Sequence, residues 1–404
     1  MVYQPPAGAR DLLPIDVAQK RWIEDRLEQV FHGWGYHRII TSTLERIDTL
    51  MAGGAIERST VIQLQNIQED ELGLRPELTA SIARTVVTRM TDHYPQRLYY
   101  NANVFGRTPE SKHNRQQEFY QAGVELLGGG GLVADAEVLL LAAACLQALQ
   151  LQNWHLIVGE AGITQSLLKP FPADLQTKIR SAIANLDRVA IDTLPLSEEL
   201  RERAKIILDL RGKSADVLQK INTLNLDSQQ QEAVNNLSAL VKLIESQGNS
   251  LILDLSLIQT FDYYTGIIFE VVSTVDNQAR VIGSGGRYDQ LLGLYHPQGK
   301  NIPGTGFALF IEDLYHVLST SGQLPQTTPA SNWLVVPENS SAIASAFAYA
   351  EKLRSSTHLV RVEMELGGSD ADSVQEYASK RGIAQIAWIK ADGSKTIESV
   401  SSKQ

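Results

Sequence analysis

Two stretches of this chain, RLYYNANVFG at 97–106 and EFYQAGVELL at 118–127, alternate with the period-two pattern of β-strands, and the residues between them, RTPESKHNRQQ, are polar. A connection this short and polar favours an antiparallel hairpin, because parallel neighbours need a longer crossover, usually through a helix. In the first strand Leu98, Tyr100, Ala102 and Val104 share a face. In the second, Tyr120, Ala122 and Val124 form an apolar, core-facing set, and Phe119, Gln121, Gly123 and Glu125 share the opposite face. Such a hairpin commits the chain to a sheet with at least one buried face. The Gln121/Glu125 pair has two readings, a solvated face or the wall of a polar site, and periodicity does not choose between them.

The flanking segments supply the cover. From Asp16 to Phe31 the spacing puts Ile23, Leu27, Val30 and Phe31 on one helical face, with Asp16 as N-cap and Gly33 and Gly35 ending the run. A buried helix is expected at about 134–150, carrying Cys145 as a small hydrophobe. From about 160 to 248, charged Leu-rich helical segments such as EELRERAKIILDL read as a helical insertion, because strand signals resume at LILDLSL and QTFDYYTGIIFEVVS. GTGFALFIEDLYHVL passes from strand to helix. These segments suggest one large domain over 1–320, a linker of Ser, Pro, Gln and Thr at 319–332, and a small α/β domain over 333–404.

Composition narrows the function. Acidic residues number 46 against 36 basic, a net charge near −10, so no global basic field draws in nucleic acid. A single cysteine excludes an internal disulfide and a cysteine-built zinc site, and the eight histidines lack HxH or HxxxH spacing, so neither metal nor cofactor is expected. No stretch reads as a membrane span and the N-terminus lacks a signal-peptide core, which points to a soluble cytoplasmic chain. GGGG at 128–131 lacks the Gly-Lys-Ser/Thr continuation of a phosphate loop and reads as a turn. SGGRYDQLL at 284–292 marks either a tight turn or close approach of backbone to a ligand. Lys112, His113 and Arg115 make a short basic loop, solvated or touching phosphate. Glu77 and Thr79 in LRPELTA, with the hydroxyls of Tyr263 and Tyr264, add acceptors that would suit an ammonium and an imidazole if they converge.

These segments occur in the order and spacing of a known family. Over about residues 5–320 the chain resembles histidyl-tRNA synthetase, a class II aminoacyl-tRNA synthetase, through ARDLLP, GWGYHRIITSTLE, LRPELT, RLYYNANVFG with FYQAGVELLG, FDYYTGIIFE, GGRYDQL and GTGFALFIEDL. The resemblance implies an α+β fold, an antiparallel sheet flanked by helices, with a helical insertion and a small C-terminal α/β domain loosely like an anticodon-binding domain. It implies that Glu77, Thr79 and Gln121 receive the amino group of histidine. Glu125, Tyr264 and Tyr288 would surround the imidazole, with Tyr263 packed beside them and Arg287 and Gly285 shaping the wall.

The activating groups of that family are missing. Where the synthetases carry three arginines on ATP and the carboxylate under attack, this chain has Gly106, Gln259 and Asp313. Arg107 lies one residue beyond the first of these, which in a regular strand turns it to the other face. Phe310 replaces a glycine, Leu78 stands for the glycine of LRPEGT, and Ser42 for a motif-1 proline. A kept amino-acid pocket beside a lost ATP clamp resembles the synthetase-like regulatory subunits of ATP phosphoribosyltransferase. That resemblance implies no catalytic residues and a partner, the short-form catalytic subunit, which joins ATP to phosphoribosyl pyrophosphate at the first step of histidine biosynthesis. It further implies a hetero-octamer, self-association as a dimer, and free histidine as effector. An active histidyl-tRNA synthetase and a tRNA-binding module are the alternatives, and the net charge argues against nucleic acid.

Overall fold

The computed structural model describes residues 3–54, 56–64, 71–90, 94–106, 116–224, 226–257, 263–275, 278–356, 358–367 and 369–400. The basic loop with Lys112, His113 and Arg115, together with Arg107, Gln259 and Asp262, lies outside the described residues.

The alternating segments pair antiparallel within a nine-stranded sheet. Its strands, in chain order, are β1 (His37–Arg38), β2 (Gln96–Phe105), β3 (Glu118–Leu127), β4 (Trp154–Glu160), β5 (Arg211–Lys213), β6 (Leu251–Asp254), β7 (Ile267–Val275), β8 (Gln278–Arg287) and β9 (Gly304–Phe310). The spatial order is β1-β2-β3-β9-β8-β7-β4-β6-β5. The run from β2 to β4 is antiparallel, while β1 on β2 and β6 on β4 are parallel. Register sets Leu98 opposite Glu125, Tyr100 opposite Gly123 and Ala102 opposite Gln121, so the apolar residues of β2 share a face with the polar pair of β3.

Both faces of this sheet are buried. On one, Ala122, Val124 and Leu126 of β3 join the main core with Ile23, Leu27 and Phe31 of helix α1 (Pro14–Gly33) and most of helix α3 (Gly131–Ala148). On the other, Leu98, Tyr100 and Val104 pack with Ile82 and Val86 of helix α2 (Thr79–Arg89) and with Tyr264 and Tyr288. Helix α1 starts two residues before the expected boundary. Pro14 takes its first position, where a missing N–H costs nothing, and Asp16 reaches back to accept the Leu13 N–H at 2.8 Å instead of serving as N-cap.

Contrary to the expectation that no segment is apolar enough, α3 has the length and composition of a membrane span. It is half buried, and Cys145 on it is fully enclosed, so its apolarity is that of a core helix. The insertion adds helices Ala161–Leu168, Ala173–Ala184, Arg188–Thr193, Glu198–Leu208, Ser214–Ile221 and Ser228–Ser246, whose buried apolar residues, Ala161 apart, belong to the main core. It is not purely helical, since β5 pairs with β6 at the sheet's end.

The chain divides into two compact units, Met1–Leu12 with Gln19–Leu324, and Leu13–Ala18 with Pro325–Gln404. The C-terminal sheet runs Val362–Met364, Trp333–Pro337, Gln385–Ile389, Lys395–Ser399; the first three strands are parallel and the last is antiparallel. Helices Ile343–Arg354 and Ala371–Lys380 cover separate clusters of that sheet's apolar side chains.

Candidate functional site

Seven of the eight expected binding residues line one cavity of about 180 Å³: Glu77, Thr79, Gln121, Glu125, Tyr263, Tyr264 and Tyr288. The reason lies in the elements that bring them there. Gln121 and Glu125 project from β3, and Tyr288 follows β8, which lies one strand away across β9. Tyr263 and Tyr264 precede β7, and Glu77 and Thr79 stand at the start of α2 above the sheet. Gly285 also lines the cavity.

Glu125 is only 2% exposed, which settles the two readings of the β3 face in favour of a polar site. Its carboxylate accepts the Thr79 hydroxyl at 2.7 Å on one oxygen and the Tyr288 hydroxyl on the other. Burial pushes its pKa up to about 8, against the opposing pull of those two donors, and the charge of Glu77 adds to the rise. Glu77 is likewise raised, by burial first. Its two oxygens accept the Thr79 N–H at 2.5 Å and the Ala80 N–H at 2.9 Å, so it caps α2. Leu78, at the glycine position of the family segment, is 1% exposed with φ −109°, a conformation open to any side chain.

Tyrosine rings form the remaining wall. Tyr263 lies 4.8 Å from Tyr264 and 5.9 Å from Tyr288 between ring centroids, the latter edge-on at 87°. Burial holds the hydroxyls of Tyr263, Tyr264 and Tyr288 protonated well past neutrality. The paired glycines of β8 and β9 allow close approach rather than a turn. A Cβ on Gly306 would sit 2.2 Å from Glu125 Oε2, and one on Gly285 would sit 2.3 Å from the Gly306 carbonyl. Tyr100, Ser284 and Gly306 line the cavity as well. None was singled out from the sequence, because only the register Tyr100↔Gly123 and the pairing of β8 with β9 place them there.

Arg287 is the exception. Its Nε and Nη2 donate to Asp135 at 2.9 and 2.6 Å, and Nη1 donates to Asp289 at 2.9 Å. It ties the end of β8 to α3 and is not among the cavity-lining residues. The expectation that it shapes the wall is corrected accordingly: Asp135, distant in sequence, supplies the stronger partner.

A second cavity, about 220 Å³, shares Pro76, Gln121 and Phe310 with the first and reaches Gly106, Glu312 and Asp313. Glu312 accepts the Tyr120 N–H at 3.1 and 3.2 Å, and Asp313 pairs with Arg280 at 2.7 Å. Among its described lining residues there is no Lys or Arg. Two carboxylates, three phenylalanines and a bare glycine offer a polyphosphate neither counter-charge nor an N–H fork.

The family model described as "Histidyl-tRNA synthetase" matches residues 8–314. The chain is 73% identical over 403 residues to the ATP phosphoribosyltransferase regulatory subunit of Trichormus variabilis, covering 99% of this chain and 100% of that one. It is 74% identical over 402 residues to the protein of the same name from Nostoc punctiforme, again over 99% and 100%. A crystal structure from Bacillus halodurans C, titled as an ATP phosphoribosyltransferase regulatory subunit/histidyl-tRNA synthetase, superposes with TM-score 0.81 at 28% identity, covering 96% of this chain and 99% of that one. A histidyl-tRNA synthetase from Nostoc sp. PCC 7120 shares the fold with TM-score 0.80 at 19% identity, over 98% and 97%.

Proposed function

Because the chain belongs to the family of ATP phosphoribosyltransferase regulatory subunits, built on the histidyl-tRNA synthetase fold, we propose that its first cavity binds free histidine and that the transferase chemistry resides in a partner subunit. The regulatory role and the link to histidine biosynthesis follow from that membership. The observation that carries the rest is a contrast between neighbouring cavities. The first gathers two carboxylates and three tyrosines of the expected set. The second has Gly106 and Asp313 where the resembling enzymes hold arginines.

Two carboxylates with no cation among the described lining residues favour a cationic amine, and Glu125 between two hydroxyl donors is placed to accept an imidazole N–H. At about 180 Å³ the cavity is below the roughly 300 Å³ floor of drug-sized sites, which suits an amino acid alone. Losing even one preorganised donor costs about 10²–10³ in rate, so a site without its cations does not adenylate. An active synthetase is therefore not favoured. Histidine bound here biases an assembly with the short-form catalytic subunit, a hetero-octamer containing self-associated copies of this chain. Beyond the edge strand β1, Ile40 is 81% exposed, an apolar side chain that supports self-association.

The deciding measurement is the activity of the matching short-form catalytic subunit with and without this chain, across histidine concentrations. Faster turnover that responds to histidine is expected. An unchanged rate with no complex formed would refute the proposal, and histidine-dependent ATP–pyrophosphate exchange would restore the synthetase reading.

A further inference from the structure

We infer that the first cavity reads the imidazole and the ammonium of its ligand but not a carboxylate, so that carboxyl-free analogues of histidine bind at least as tightly as histidine. The inference rests on the reading of this cavity as a histidine site. Its ground is an inventory of what a ligand carboxylate would meet.

Among the described residues lining either cavity there is no Lys or Arg, whereas Glu77 and Glu125 line the first and Glu312 and Asp313 the second. The amino end of α2 would be the natural seat for an anion, since its first N–H groups carry the positive end of the helix dipole. That seat is taken. Glu77 accepts both the Thr79 and the Ala80 N–H groups.

The guanidinium groups beside the cavities are already paired, Arg280 with Asp313 at 2.7 Å. Arg287 is bound to Asp135 and Asp289. Arg75 donates to the carbonyls of Thr41 at 2.9 Å, Asn103 at 3.1 Å and Ser42 at 3.3 Å. The other polar side chains a carboxylate would meet in the cavity, the Gln121 amide, the Ser284 hydroxyl and the hydroxyls of Tyr100, Tyr263 and Tyr264, are all neutral. An anion leaving water for this site exchanges strong hydration for neutral donors and like charge, which costs affinity. The same walls favour the ammonium and place no demand on the group attached beyond its carbon.

Titration calorimetry on the full chain at pH 7.5 with histidine, histidinol and histamine tests this. The expected result is a Kd for histidinol equal to or below that for histidine, with histamine binding as well. Histidine binding tighter than both analogues would overturn the inference while leaving the site reading intact. Failure of all three to bind at millimolar concentration would remove the site reading and the inference with it. The variant Glu312→Gln, which keeps an acceptor for the Tyr120 N–H, checks the cause. It should tighten histidine several-fold and leave histidinol unchanged; an equal change for both ligands would overturn the electrostatic origin.

Discussion

Replacing Glu125 by Gln isolates the charge at the centre of the cavity. In the empty protein Glu125 titrates at about 8, so near pH 7 it is mostly protonated and Gln is a close substitute. The amide oxygen keeps one of the Thr79 and Tyr288 hydroxyls as its donor while the other turns to accept from the amide NH2, so stability near pH 4.5, where Glu125 is protonated in the folded protein, should change by only about 1 kcal/mol. A cationic ligand changes the balance. It favours the ionised carboxylate, so binding expels the proton, and roughly one proton should be released per histidine at pH 7. Because the carboxyl must first ionise, histidine affinity should rise about five-fold from pH 7 to pH 8 and level off above. Glu125→Gln forfeits a charge-assisted hydrogen bond, about 1.5–3 kcal/mol or roughly 10–150-fold in Kd. It also abolishes the proton release and the pH dependence. Calorimetry in buffers of different ionisation enthalpy reads both quantities. Wild-type binding without proton release, or a variant that keeps affinity and release alike, would refute the reasoning. Stability follows the opposite sign. The folded-state pKa of Glu125 is raised, so its contribution is fully present below about 4.5 and is lost as pH rises through about 8. The Tm of the wild type should therefore fall relative to Glu125→Gln between about pH 4.5 and 8 and level off above.

Other perturbations separate structure from recognition. Arg287→Gln leaves the largely enclosed Asp135, 13% exposed, without its main partner and should cost about 3 kcal/mol in chemical denaturation, while histidine affinity of the folded fraction stays within a few-fold; a large affinity loss at unchanged stability would return Arg287 to the binding site. Gly306→Ala drives a Cβ to 2.2 Å from both Glu125 Oε2 and the Val124 carbonyl, so histidine binding should disappear and stability should drop by about 1–3 kcal/mol. Native-like affinity in that variant would show that the walls yield more than a packed sheet should. Restoring arginine at Gly106, Gln259 and Asp313 together should not restore pyrophosphate exchange, because Phe310 occupies the wall shared by the two cavities; measurable exchange would refute this.

Some of this protein was written in local pattern alone. The alternation in 97–106 and 118–127 gave the β2–β3 hairpin, since a strand's two faces repeat every two residues whatever surrounds it. The spacing of Ile23, Leu27 and Phe31 gave the buried stripe of α1 for the same reason at period 3.6. Seven cavity residues were legible through the resemblance of ordered motifs, because each motif keeps its own short spacing. Tertiary structure decided matters that depend on distant partners. Whether Glu125 faced water or a cavity turned on α2 and the tyrosines that close over its face, segments some 45 to 165 residues away. Arg287 looked like a wall residue until Asp135 claimed it across 152 residues of chain. Strands Arg211–Lys213 and Lys395–Ser399 carry no apolar alternation and are largely exposed; neighbours' hydrogen bonds define them, not their own side chains. Sequence periodicity records which side of an element is apolar, but a charge acquires its partner, its pKa and its role only from what the fold sets opposite it.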